Sequence, residues 1–167
     1  MPAKAILPVC LFCLFLGCDY PDRITRLEKE NKDLQTQVSR QQAAIDYDLQ
    51  AKCSRDAKAW FNENWNSSDK NTLLLHYINH YHKPRNKCYI LVEYHYSIGD
   101  KTASWVNHMS VYDMYENTEY GSFSENHMIY YKPEVRTEDR VFVCKFLRKE
   151  CKSLEEFNGL ISPYLND

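Results

Sequence analysis

The first extended pattern of apolar residues predicts one long helix. From Asp22 to Trp65 no glycine or proline occurs, and the apolar residues recur at helical spacing. In the first half they follow a heptad pattern, which predicts a coiled-coil seam of Ile24, Leu27, Asn31, Leu34, Val38 and Ile45. A single buried asparagine is typical of parallel two-stranded coiled coils. Because the other residues of this half are nearly all polar, we expect a homodimer, with a solvated single helix as the alternative.

The rest of the chain changes from helical to alternating spacing. After Ile45 the apolar stripe approaches a period of 3.6, so this part of the helix is expected to pack on its own domain. Strands are predicted at Thr72–His82, Lys87–Ser97, Ser104–Glu116 and Arg140–Arg148, with Met128–Tyr131 as a short fourth strand or an edge piece. Ser153 and Glu156 form a capping box that begins a terminal helix, SLEEFNGLISPYL, which Pro163 and Asp167 should end.

These elements predict an α+β fold. A long N-terminal helix, a coiled-coil stalk, packs at its C-terminal end on a four- or five-stranded antiparallel sheet, and a short C-terminal helix completes the domain. The arrangement is similar to cystatin or NTF2-like folds, an analogy that carries no function. We divide the chain into residues 1–17, 18–50 and 51–167; the second range contains the stalk and the third is the globular domain.

The N-terminus carries a short apolar run behind one basic residue. Ala5 to Gly17 is about thirteen apolar residues, whereas a membrane-spanning helix needs about twenty. With Lys4 in front, this layout predicts an export signal, and an uncleaved signal anchor or a buried helix is the alternative. The FLGC sequence that ends at Cys18 resembles the lipobox of bacterial lipoproteins.

That resemblance implies a place in the cell for the protein. Residues 1–17 would be removed and Cys18 would carry diacylglycerol and a further acyl chain such as palmitate. Multiple acyl chains hold a protein stably at a membrane. The domain would then face the periplasm of a bacterial envelope, and Asp19, by its position after the cysteine, favours the inner membrane.

Cysteine usage fits an exported chain. Of seven cysteines, Cys10 and Cys13 leave with the signal and Cys18 is lipidated, so four remain. An oxidising compartment favours disulfides. Three pairings are open, and we predict Cys144–Cys151 across a tight hairpin and Cys53–Cys88 between the helix and the second strand. A zinc site is the rival interpretation, but no CxxC spacing supports it.

Charge and motifs narrow the range of functions. A net charge of −2 with both signs mixed does not favour a nucleic-acid surface, and four glycines supply no phosphate-binding loop. No nucleophile lies in an activating motif, so we expect no enzyme and no cofactor. The expected function is a lipid-anchored module that binds an envelope protein. The Cys-bearing helix, the NHYHKPRNKCYILVEY hairpin and the short terminal helix after a Cys loop resemble small exported bacterial proteins of no assigned activity. The alternative is a Zn²⁺- or Cu²⁺-binding protein that uses a histidine cluster: His76, His80, His82 and His95.

Overall fold

A computed structural model describes residues 20–65, 70–98, 104–131 and 134–166. It has two helices and one six-stranded antiparallel sheet, which confirms the α+β class. The elements are α1 (Tyr20–Asn64), β1 (Thr72–His82), β2 (Lys87–Ser97), β3 (Trp105–Asp113), β4 (Thr118–Tyr130), β5 (Arg136–Phe146), β6 (Lys149–Glu150) and α2 (Leu154–Leu165). The predicted export signal and Cys18 lie outside the described residues.

The long N-terminal helix contributes to two compact units, Met1–Ile45 and Asp46–Asp167. In the first unit every described side chain of α1 is exposed. In the second unit, α1 buries Cys53 and Ala57 completely. No helix within the described ranges is long and apolar enough to cross a membrane.

The sheet runs in the order β1-β2-β3-β4-β5-β6, and each strand pairs with its neighbours in sequence. Because side chains alternate between faces, β2 presents Cys88, Ile90 and Val92 to one side and Tyr89 and Leu91 to the other. The first set packs with Cys53 and Ala57 of α1. The second set forms a separate core that includes Phe157 and Ile161 of α2. The two helices therefore cover opposite faces of one sheet.

The strand count differs from the predicted four or five. Met128–Tyr131 is neither a separate strand nor an edge piece, because its first three residues are the end of β4, which is 13 residues long. The polar first half of β4 carries no strong strand signal, and a turn at Asn117, with φ of 49°, folds it back on β3. Lys149–Glu150 is too short for any periodicity, and its pairing with Lys145 and Phe146 makes it a sixth strand.

The C-terminal helix starts as predicted and ends before Asp167, but Pro163 does not stop it. Ser153 is the N-cap, and its side chain accepts a hydrogen bond from the Glu156 amide. Pro163 lies inside α2, which continues to Leu165. A proline has no amide hydrogen to offer the carbonyl four residues earlier, here Gly159. Packing of Ile161 and Tyr164 on the sheet outweighs that loss.

Candidate binding groove

A groove lies where the first and last hairpins of the sheet meet α2. Because antiparallel strands alternate in direction, the β1–β2 and β5–β6 turns lie at the same end of the strands. Between them and α2 is a cavity of about 1030 Å³. We call it the hairpin groove, and its described lining residues are His82, Pro84, Arg85, Phe146, Leu147, Arg148, Lys149, Gly159, Leu160, Pro163 and Tyr164.

Tyr164 of α2 joins the walls of the groove. Its ring stacks on His82, with 5.9 Å between centroids, and meets Phe146 edge-on at 4.8 Å. The Arg85 guanidinium lies 4.8 Å from the centre of the same ring. Arg85 Nη2 also donates to the Tyr164 hydroxyl at 3.4 Å. One aromatic side chain thus fixes a histidine, an arginine and a core phenylalanine relative to one another.

The β1–β2 turn presents Arg85 at one side of the groove. Lys83–Arg85 is a short 3₁₀ turn with Pro84 near its start, and Asn86 ends it in the left-handed region at φ 51°. The Tyr81 hydroxyl donates to Asn86 Oδ1 at 2.8 Å, which holds the turn from the buried side. Asparagine tolerates this conformation better than most residues.

The β5–β6 turn brings a strained leucine to the other side. Phe146 is buried, but the next residue, Leu147, is 49% exposed and has φ of 55°. A left-handed conformation costs a residue with a side chain about 1–2 kcal/mol, and such strain concentrates at functional sites. The Leu147 amide donates to the Tyr120 carbonyl at 2.6 Å, and the Cys144–Cys151 bond closes the hairpin behind it.

Beneath the groove are polar groups without hydrogen bonds. Tyr89 is fully buried in edge contact with Tyr164, and its hydroxyl has no hydrogen-bond partner among the described residues. Burial raises the pKa of Tyr89 to about 12, so the hydroxyl remains neutral at pH 7. The buried His82 Nδ1 likewise has no hydrogen-bond partner among the described residues.

The charge around the groove has one sign. Arg85 approaches from the β1–β2 turn, and Arg148 and Lys149 approach from the β5–β6 turn. None of the described lining residues is acidic, although the whole chain has a net charge of −2. Glu150 is the acidic residue nearest in sequence. Because it follows Lys149 directly in β6, its side chain points to the opposite face of the strand.

Gly159 leaves an opening on the helix side of the groove. A methyl group added there would meet no atom within 4 Å. The floor nearby is apolar, formed by Leu160, Pro163 and Phe146. Positive side chains therefore lie on both sides of an apolar opening.

A second charged cluster has a structural role. Lys87 donates to Asp113, which is 1% exposed, and lies 2.8 Å from Glu116. It also donates to the Tyr120 hydroxyl at 2.9 Å. The Asp113 carboxylate raises the pKa of Lys87, with Glu116 and Tyr120 adding to the effect. This cluster ties β2 to the β3–β4 turn.

The four domain cysteines pair as predicted. Cys53 bonds Cys88, joining α1 to β2, and Cys144 bonds Cys151 across the last hairpin. Only the second bond lies near the groove, where it supports the β5–β6 turn.

The four histidines proposed for a metal do not converge. His76 Nε2 lies 3.4 Å and His95 Nε2 lies 3.1 Å from the Glu93 carboxylate. His82 is six residues from His76 along β1, roughly 20 Å at 3.3 Å per residue. Across the described residues, no group of three or more His, Cys, Asp or Glu side chains is placed to hold a metal ion. His82 instead lines the groove.

The predicted coiled-coil seam is an exposed stripe on α1. Its large apolar members are 39–62% exposed: Ile24, Leu27, Leu34, Val38 and Ile45. Asn31 is also exposed within that stripe. The helix is as predicted, and the pairing of two helices stays a prediction.

Most of the groove was missed from the sequence. Its residues come from three segments, around positions 82–85, 146–149 and 159–164, and none contains a recognised motif. The one available signal was the presence of cations in both hairpin turns, in KPRNK and LRKE. Compared with protein-family models, curated proteins and solved structures, the chain has no match.

Proposed function

We propose that this protein is a lipid-anchored lipoprotein of the bacterial envelope whose domain binds a segment of an envelope protein in the hairpin groove. The observation that carries the proposal is the groove itself, an apolar floor between two cationic turns. A concave, mostly apolar site with a few placed polar groups is typical of binding sites. Its described lining residues include no serine, threonine, cysteine or carboxylate, so the proposal is a binding function and not a catalytic one.

Two features support export and anchoring. The FLGC sequence supplies Cys18 as the acyl acceptor, and the two disulfides of the domain are typical of chains that fold in an oxidising compartment. Asp19 favours retention in the inner membrane, with the domain in the periplasm.

Dimerisation is part of the proposal. The exposed seam of α1 has nothing to bury against within its own unit, where every described side chain is exposed. Two parallel helices would each cover the other's apolar stripe, with Asn31 selecting the two-stranded state. Lipid anchors would hold two chains parallel and raise their local concentration.

Site-specific photo-crosslinking of the full chain in its own cells tests the groove. A benzophenone amino acid at Lys149, on the rim, is compared with the same group at Glu155, which is exposed on α2 outside the groove. Each is repeated with Gly159→Leu, which fills the opening without a clash at Cβ. We expect a protein adduct from position 149 alone that Gly159→Leu abolishes. No adduct from position 149, or one that Gly159→Leu leaves unchanged, would contradict the proposal.

A further inference from the structure

We infer that the hairpin groove recognises an acidic peptide segment in which one large apolar side chain is flanked by carboxylates. This deepens the proposed function and rests on it. Three features of the groove favour such a segment: the placement of charge, the opening at Gly159 and the exposed Leu147 at the rim.

The first support is charge complementarity. Arg85 stands on one turn, while Arg148 and Lys149 stand on the other, with no acidic side chain among the described lining residues. Within the part of the chain that the structure describes, Arg85 contacts the ring and the hydroxyl of Tyr164. Arginine resting on an aromatic face keeps further N–H donors for a carboxylate. Cations at opposite sides of one groove match negative charges on both sides of a central ligand group.

The second support is the shape of the apolar opening. Gly159 has open space above its Cα, and Leu160, Pro163 and Phe146 contribute apolar surface to the same groove. Such a site accepts one inserted side chain, in the way that a few anchor residues dominate protein interfaces. Leu147 lies at the rim with 49% exposure, in a conformation that asparagine or glycine would adopt more easily. The exposed Leu147 side chain adds apolar contact surface at the rim.

Charges on both sides favour a peptide over a lipid. An anionic phospholipid has its charge at one end, so it would engage the cations of one turn only. A peptide with carboxylates before and after its anchor residue engages both turns while the anchor fills the opening. Recognition of acidic segments by clustered arginines is an established binding mode.

Fluorescence anisotropy with the detergent-solubilised full chain tests the inference. The probe is a labelled peptide, Gly-Glu-Glu-Phe-Glu-Glu-Gly, compared with a form that has lysines for glutamates and a form that has serine for phenylalanine. We expect the acidic phenylalanine peptide to bind at least about tenfold more tightly than either control. Because the contacts are partly electrostatic and exposed, its affinity should fall as salt rises.

Variants locate the site. Gly159→Leu should weaken peptide binding at least about tenfold, and Arg148→Glu should weaken it about fivefold or more. Lys58→Glu is the matched control, since this exposed lysine of α1 lies outside the groove, and it should change the affinity less than twofold. Circular dichroism and thermal melting would check that Gly159→Leu is folded. Arg148→Asp offers a second charge reversal if Arg148→Glu is poorly folded.

Each contrary result has a defined meaning. Equal binding of acidic and basic peptides, or binding unaffected by Gly159→Leu, overturns the inference. Groove-dependent binding to phosphatidylglycerol vesicles with none to the peptide overturns it in favour of a lipid ligand. If the peptide does not bind but the crosslink from position 149 persists and needs an open groove, the peptide class is wrong and the proposed function stands. Loss of both removes the proposed function too.

Discussion

The disulfide between Cys53 and Cys88 should stabilise the domain more than the one between Cys144 and Cys151. The perturbation is the double change Cys53→Ala/Cys88→Ala, compared with Cys144→Ala/Cys151→Ala. The first bond closes a loop with a sequence separation of 35 residues, and the second closes one of 7. In the chain-entropy model, a longer closed loop removes more disorder from the unfolded state.

The loop lengths set the expected magnitudes. The model gives about 3.8 kcal/mol for the longer loop and about 2.4 kcal/mol for the shorter one at 25 °C. Their difference, about 1.4 kcal/mol, depends only on the ratio of the loop lengths. Cys53 and Cys88 are both fully buried, so their truncation also removes packing between α1 and the sheet. That packing loss can only increase the difference.

Urea unfolding followed by circular dichroism measures both losses. At an m-value of about 1.5 kcal/mol/M, the midpoints should fall by about 2.5 M and about 1.6 M respectively. Protein concentration must be held constant, because the proposed dimerisation would make apparent stability depend on it. Equal losses, or a larger loss for the Cys144–Cys151 pair at unchanged m-value, would refute the reasoning from loop closure.

Three further predictions concern single residues of the domain, and a fourth concerns the anchor. Burial lowers the pKa of His108, so the stability this neutral imidazole contributes is present above pH 6.5 and lost as the pH falls below it. Urea midpoints of His108→Asn should therefore drop less than those of the wild type between pH 6.5 and 5, and parallel profiles would contradict this. Lys87→Met should cost about 2 kcal/mol in the free energy of unfolding, because it leaves the buried Asp113 carboxylate without its cation; a change under about 0.5 kcal/mol would contradict the assigned role. Leu147→Asn should raise the melting temperature, because it relieves up to about 1 kcal/mol of strain from the left-handed backbone conformation, and it should weaken binding of the acidic peptide. A decrease in the melting temperature would argue against strain at this position. Intact mass of protein from membranes should show an acylated chain beginning at Cys18 with four cysteines oxidised, and Cys18→Ser should abolish acylation; an unprocessed wild-type species would contradict the anchor.

Elements with a strong local period were predictable from the sequence. The helix α1 was recognisable from its apolar stripe and from the lack of glycine and proline. Strands β1 and β2 match their predicted bounds, Thr72–His82 and Lys87–Ser97. Their connection through Pro84 and Asn86 was also visible, because turn residues mark a hairpin locally.

Elements that depend on distant contacts were misjudged. The first half of β4 has little apolar signal and becomes a strand because β3 pairs with it from Thr118 and β5 pairs with it from Gly121. At Gly121 this pairing is so close that a Cβ would lie 2.5 Å from the Lys145 carbonyl oxygen. Pro163 is a stop signal by local rules, yet contacts of Tyr164 with Phe146 and Tyr89 keep the last turn of α2 helical.

The sequence by itself determined the fold class and the long helix with its apolar stripe, because both follow from the spacing of residues within single segments. It favoured the two disulfide pairs among three open pairings, and the structure confirms them. It also contains the lipobox resemblance on which the anchor is proposed. The tertiary structure alone decided the hairpin groove. Arg85, Arg148 and Gly159 become neighbours only because the first and last hairpins turn at the same end of the strands and α2 packs between them. No local pattern records that meeting, since it depends on strand order and packing across most of the domain.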